Sequence, residues 1–345
     1  MDTTQFRRFS PDNLEFILLS FEGPDQPYSM AGGLGVRVAE LSQALADLGF
    51  TTHLLFVGDP NLPGHEVRED GKLHLHRWCQ WVSQHHPNGV YDGEEGKLRD
   101  FDRSAPWFVV DHIVRPAAAQ GKVVAILAEE WHTVEATCRI SDILHGAGLL
   151  ERCLLLWNAN NHFSFYRINW GRLSYVAKLT TVSKYMKHLM WQIGLNPLVI
   201  PNGIPNRFLA PVEKRHAAEL RRVLAGGMRR PVGQPDPGFF LFKIGRFDPD
   251  KRWIMAVDAA ARLKDRGLPV KLLIRGGIEP HGGEVIAHAY WRGLRMNDVH
   301  ASGRDNAAML AAIGSAAPHA DLLNLRSFIT DEFKRICFGA ADATL

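Results

Sequence analysis

The chain has 345 residues, enough for two domains at roughly 100–200 residues each. With 46% hydrophobic and 22% charged residues it has the material for packed cores, which excludes a disordered chain. Forty basic against thirty-seven acidic residues leave a net charge of +3, too little to imply a nucleic-acid or membrane-surface partner. The four cysteines Cys79, Cys138, Cys153 and Cys337 form no CxxC pair, so neither a zinc ribbon nor a disulfide framework is expected, and a reducing, cytoplasmic setting fits. The N-terminal MDTTQFRRFS has no apolar core of a signal peptide, and no apolar run approaches the roughly 20 residues of a membrane span.

The first apolar run, Glu15 to Phe21, has the pattern of a strand buried on both faces. A polar loop leads to Gly32, Gly33 and Gly35, and Val36 to Leu48 then reads as a helix stopped by Gly49. Thr51 to Val57 is the next strand, which completes one βαβ unit. Residues 59–104 read as an irregular excursion rich in histidine. His74 and His76 would share one face of a strand there, but no third and fourth ligand stands at a recognisable metal spacing, so these are expected to be ordinary surface histidines.

Regular α/β grammar then resumes. Trp107 to Val110, Val123 to Leu127, Leu154 to Trp157 and Leu179 to Val182 are strand-like, and Thr133 to Leu144 is helical. Ser183 caps a helix from Lys184 to Ile193 that Gly194 ends. Leu198 to Ile200 closes on the turn Pro201-Asn202-Gly203. A Pro- and Gly-rich connection with a charged helix at Val212 to Leu224 follows, carrying the pairs Arg221/Arg222 and Arg229/Arg230 as a solvated face. A second βαβ unit starts at Phe239 to Ile244, passes the loop Gly245 to Asp250 and a helix from Lys251 to Leu263, and reaches Val270 to Ile274 before Gly276 and Gly277. Phe328 to Ala340 reads as a helix, and Ala341 to Leu345 opens another strand. The expected division is an N-terminal domain over 1–207, a linker over 208–238 and a C-terminal domain over 239–345.

Two parallel-sheet units, each with a glycine loop between strand and helix, point to a ligand at the carboxyl ends of the strands. The free N–H groups and positive dipole end of the helix after Gly32-Gly33 suit a phosphate, although a tight turn needed for packing would use the same glycines. A dinucleotide fingerprint is not matched: GGLGVRV lacks the third glycine, and the loop from Phe21 to Gly32 is too long. In the second loop, Arg246 at a strand end and Lys251 at the start of the next helix are two cations that can clamp a diphosphate. The competing reading pairs them with Asp248 and Asp250 as a surface ion pair.

Five short stretches, in order, are Ala31-Gly32-Gly33-Leu34-Gly35, Glu130-Trp131-His132, Thr181-Val182-Ser183, Ile200-Pro201-Asn202-Gly203-Ile204, and Gly245-Arg246 through Lys251. Together they resemble the retaining GT-B glycosyltransferases of the glycogen synthase and family 4 type. The resemblance implies an α/β fold of two Rossmann-like domains facing a cleft, and transfer of a hexosyl group from a nucleotide-diphosphate sugar to a glycan or other hydroxyl acceptor. It implies no metal and no cofactor. Gly32, Gly33 and Leu34 would lie near the donor diphosphate, and His132 would contact the transferred sugar. Arg246 and Lys251 would hold the donor phosphates, with Gly276 and Gly277 in the same region, and Asn160, Asn161 and His162 would stand on the acceptor side. Two departures are visible. Met30 stands where glycogen synthases carry a lysine, which counts against an ADP-glucose-dependent glycogen synthase. The E-x7-E carboxylate pair of the second domain is not found, so the C-terminal domain is expected to be incomplete and the activity of the chain weak or absent. The alternatives are a sugar-nucleotide 2-epimerase or phosphorylase of the same fold, or a non-catalytic nucleotide- or glycan-binding relative.

Overall fold

The computed structural model describes residues 9–226, 238–277 and 279–345. The pair Arg229/Arg230 and most of the Pro- and Gly-rich connection lie outside the described residues. The chain divides into two compact units, Met1–Gly203 and Ile204–Leu345.

The strands of the first unit are β1 (Leu14–Leu19), β2 (Thr52–Val57), β3 (His65–Arg68), β4 (Leu73–Trp78), β5 (Val123–Glu129), β6 (Cys153–Ala159), β7 (Lys178–Thr181) and β8 (Leu198–Val199). They order as β3-β4-β2-β1-β5-β6-β7-β8, parallel throughout except for the antiparallel pair β3/β4. The central strands are apolar on both faces because both faces are covered. Ile17, Leu19, Leu55 and Val57 pack into the larger core with the helical run from Glu94, whereas Leu18, Leu54, Phe56 and Leu75 pack beneath Val38 of the helix Gly33–Asp47.

Most of the local grammar is found where the sequence places it. The helix after the glycine loop ends at Gly49, whose φ of +91° suits a glycine stop. Ser183 Oγ accepts from Met186 N at 3.2 Å and caps Lys184–Trp191. The excursion at 59–104 is more regular than expected, since β3, β4 and the start of a long helix lie within it, and His76 is not a surface histidine but is buried against Phe108 of that helix. Trp107 to Val110 is helical rather than a strand. It joins Glu94–Phe108 to a wider helical turn, Val109–Val114, which continues into Arg115–Ala119. Phe101, Ala105, Val109, Ile113 and Ala117 recur on the buried side, so burial at helical spacing overrides the strand preference of the Val109-Val110 pair.

The second unit holds β9 (Phe239–Ile244), β10 (Val270–Arg275), β11 (Met296–Val299), β12 (Leu322–Leu325) and β13 (Ala343–Thr344), all parallel in the order β11-β12-β10-β9-β13. Its sheet is also covered on both faces, by cores around Phe242, Leu323 and Phe333 on one side and Leu241, Trp253 and Leu272 on the other. The charged helix Lys214–Ala225 inserts Leu220 and Leu224 into the first of these cores, so it is part of this unit and not a free connection. Thr330 caps the helix Asp331–Ala340, and β13 follows as the expected strand. Among the described residues no helix is long and apolar enough to cross a membrane.

Candidate functional site

At the carboxyl edge of the first sheet, the loop after β1 carries Glu22, a carboxylate that is only 5% exposed. Its Oε2 accepts from the backbone N–H groups of Gly32 and Gly35 at 2.7 and 2.9 Å, and its Oε1 accepts from Tyr91 OH at 2.6 Å. Gly32 cannot cap the helix with a side chain, so Glu22 supplies the anion that the N-terminus of Gly33–Asp47 favours. A Cβ on Gly35 would stand 3.1 Å from Glu22 Oε2, so the carboxylate uses the space that this glycine leaves. Gly33 differs: a Cβ built there meets nothing within 4 Å, and its outer face is open. Of the loop residues expected near a phosphate, Gly32 is therefore already engaged inside the protein, whereas Gly33 and the half-exposed Leu34 are not enclosed.

His132 sits in a short turn after β5, buried between Phe21 and Trp131 at ring separations of 4.3 and 3.8 Å. Its Nε2 lies 2.7 Å from Oε1 of Glu94, the first residue of the helix Glu94–Phe108. Burial lowers the imidazole pKa and the Glu94 contact opposes that fall, while the hydrogen bond with His132 holds the Glu94 carboxyl below its ordinary value. The pair joins a buried imidazole to a carboxylate that remains partly exposed at the edge. His132 Nδ1 is buried with no hydrogen-bond partner, and the carboxylate is the more exposed end of the pair.

The turn before His132 is strained. Glu130 has φ +66° and ψ 172°, a region that residues other than glycine rarely enter. Two sets of bonds hold it there. Its Oε1 accepts from the N–H groups of Asn160 and Asn161 at 2.6 and 3.1 Å, and its carbonyl accepts from Trp157 Nε1 at 2.9 Å. Burial raises the Glu130 carboxyl to about 7; the Asn160 and Asn161 N–H bonds oppose the rise and the adjacent Glu129 adds to it. Glu129 in turn accepts from Arg37 Nε at 3.0 Å and from the amides of Asn158 and Asn160 at 2.9 and 2.8 Å. Arg37 also donates to Asn202 after β8. The expected residues Asn160 and Asn161 are thereby joined to the His132 turn, whereas His162 is exposed and its ring lies 5.6 Å from that of Phe163.

In the second unit the loop after β9 is pinned at three points. Trp253 Nε1 donates to the Arg246 carbonyl at 2.7 Å, Phe247 N donates to Glu279 Oε2 at 2.9 Å, and Asp248 Oδ1 accepts from Asp250 N at 2.9 Å. The side chains of Arg246 and Lys251 remain exposed. The ion pair of the competing reading is loose, with Arg246 Nη2 standing 4.0 Å from Asp248 Oδ2. Lys251 lies on the turn Pro249–Lys251 rather than on the helix, which starts at Trp253 after Arg252 takes a φ of +54°. Gly276 is demanded by close approach: a Cβ there would fall 2.0–2.4 Å from the Phe247 ring. Gly276→Ala is expected to displace Phe247 and to lower stability by about 1–3 kcal/mol, read as the shift in a urea midpoint at unchanged slope. Gly277 stands against Glu279, whose oxygens would be 2.3–2.6 Å from a Cβ.

Sequence reasoning missed Glu22, Arg37, Tyr91, Glu94 and Glu129. Glu22 and Glu129 lie just beyond or at a strand's carboxyl end, which is the signal that could have found them. Among the described residues no group of three or more His, Cys, Asp or Glu side chains is arranged to hold a metal ion.

No protein-family model matches the chain, and no curated protein matches it. Solved structures do. The catalytic domain of starch synthase IV from Arabidopsis thaliana, bound to ADP and acarbose, aligns over 96% of this chain and 78% of its own, with a TM-score of 0.59 and 12% identity. A trehalose-6-phosphate synthase aligns over 96% and 77% with a TM-score of 0.55 and 12% identity. A glycosyltransferase from Rickettsia africae ESF-5 aligns over 96% and 72% with a TM-score of 0.54 and 12% identity. At this identity the likeness shows the fold: an α/β chain of GT-B type with two Rossmann-like parallel-sheet units.

Proposed function

We propose that the chain is a retaining GT-B glycosyltransferase that moves a hexosyl group from a nucleotide-diphosphate sugar to a hydroxyl acceptor. The observation that carries this reading is the Arg246 loop. Its backbone is held by Trp253 and Glu279, while Arg246 and Lys251 are left exposed at the carboxyl end of a parallel strand. Cations on a loop anchored at that edge favour the charge that builds on a departing diphosphate. Gly276 and Gly277 lie against Phe247 and Glu279, which belong to or hold that loop.

In this reading the first unit takes the uncharged groups. Glu22 already fills the strongest anion position of the glycine loop, which leaves Gly33 and Leu34 to meet the ligand. The partly exposed Glu94 carboxylate, backed by His132, is a hydroxyl acceptor suited to a sugar. Asn160, Asn161 and His162 stand on the acceptor side, and the strained Glu130 turn ties the first two to His132.

Thermal-shift titration of the whole chain with UDP, ADP and GDP tests the reading, with Arg246→Ala as control. Binding to the native state raises apparent stability by about 2.7 kcal/mol at a hundredfold excess over Kd. A shift with one nucleotide that disappears in the variant is the expected result. No shift with any of the three, from folded protein, overturns it.

A further inference from the structure

A separate side-chain cluster lies on the outer strands of the first sheet. His53 on β2, His74 and His76 on β4 and His65 on β3 bring four imidazoles into one stack. Ring centroids are 4.6 Å apart for His53/His74, 5.3 Å for His53/His76, 4.7 Å for His65/His76 and 5.5 Å for His65/His74, with planes within 7–19° of parallel. The strand register explains the assembly, since His53 pairs with His74 and His65 pairs with His76. Two nitrogen–nitrogen contacts tie the rings: His53 Nδ1 to His76 Nε2 at 3.0 Å and His65 Nε2 to His74 Nδ1 at 3.3 Å. Each contact needs one protonated and one unprotonated nitrogen, so it survives only while at least one ring of the pair is neutral.

The charges that face the stack compensate an added proton only in part. β1 contributes Glu15, whose Oε2 is 4.0 Å from His53 Nε2, but Lys122 already pairs with Glu15 at 2.7 Å. The helical run above contributes Phe108, 5.1 Å from His76, with His112 beyond it. β3 and β4 send Glu66 and Arg77 to the other face, where they pair at 2.7 Å.

The geometry points to an acid-released latch: the four-histidine stack closes the β3–β4 edge onto β2 while His53, His74 and His76 are neutral, and opens that edge when these rings take up protons. Burial and the neighbouring histidines agree with this, lowering His53 and His76 to about 3 from 6.5, with His74 also lowered. The sign follows from linkage. The unfolded edge binds protons more readily than the folded one, so the latch is at full strength above 6.5 and weakens as pH falls from there towards 3. The effect reaches the glycine loop. Arg77 on β4 forms a two-pronged pair with Asp25 at 2.9 Å, and the Asp25 carbonyl accepts from Ser29 and Met30 just before Gly32. Opening the edge therefore loosens the segment that presents Gly32 and Gly33.

Amide hydrogen exchange of the whole chain, corrected for intrinsic rates, tests the latch. Between about pH 7.5 and about pH 5, protection over residues 65–78 is expected to fall about tenfold or more while β5 and β6 keep theirs. In His53→Val/His76→Val, which puts strand-forming apolar side chains in the buried half of the stack, the edge should lose clearly less protection over that range, since only the His65/His74 contact remains. Equal loss in every strand, or the same local loss in the variant, overturns the proposal. Should the variant not fold, ring-nitrogen spectra of the labelled parent decide. Stack rings that protonate together with the loss of edge protection support the latch. Stack rings that protonate near 6.5 with the edge still protected sink it.

Discussion

Lys97→Met is expected to lower the stability of the first unit by about 2–4 kcal/mol, which for a unit of this size is a fall in Tm of very roughly 5–15 °C. The side chain is fully buried on the helix Glu94–Phe108. Its ammonium donates to Tyr28 OH at 2.7 Å, Gly89 O at 2.9 Å and Val90 O at 3.2 Å, and it lies 5.0 Å from the Tyr28 ring centroid. All three acceptors are neutral, and burial lowers the pKa of the group accordingly, with Asp92 opposing the fall. Methionine keeps most of the volume and removes every donor, so the cost is that of leaving buried oxygens without partners rather than of opening a cavity. The same ammonium joins the loop before Gly32 to the segment carrying Tyr91 and Glu94. A variant that still folds should therefore also lose order at both, seen as a faster exchange of the Val90 amide, which donates to Tyr28 O at 3.0 Å. A Tm within a degree or two of the parent would show that the buried ammonium contributes no net stability.

Arg246→Ala should have the largest effect on turnover. If the second unit stabilises the charge of a leaving diphosphate, removing this cation should cost up to about 100- to 1000-fold in kcat, the range seen when a single electrostatic donor is deleted. Lys251→Ala should act in the same direction, and Arg246→Lys should recover only part, because an ammonium cannot reproduce a two-pronged contact. The measurement is acceptor-dependent release of nucleotide, taken under saturating donor so that kcat and KM separate. A loss confined to KM would assign Arg246 to ground-state binding alone. Nucleotide binding without any release in the presence of acceptors would make the chain a binding module of the same fold.

The alternation of short apolar runs with helices was legible in the residues themselves, because a strand buried on both faces needs a nearly continuous apolar stretch and a helix needs a periodic one. Leu14–Leu19, Gly33–Asp47, Phe239–Ile244 and the Ser183 cap are such local statements, and a two-unit parallel α/β chain follows from them. Arg246 and the glycines around Phe247 could be singled out for the same reason, since the position of a loop after a strand is a local property. Trp107 to Val110 was misread because its helix is held by the burial of Phe101 and Ile113 on either side, not by the preference of the valines. The site of the first unit was largely hidden. Glu22 meets Tyr91 across 69 residues, Glu94 meets His132 across 38, and Lys97 meets Tyr28 across 69. Nor does any spacing in the sequence announce that His53 and His65 complete a stack with His74 and His76. Strand order and register, set by which apolar faces can be buried together, decided those contacts, and no local pattern encodes a pairing between segments so far apart.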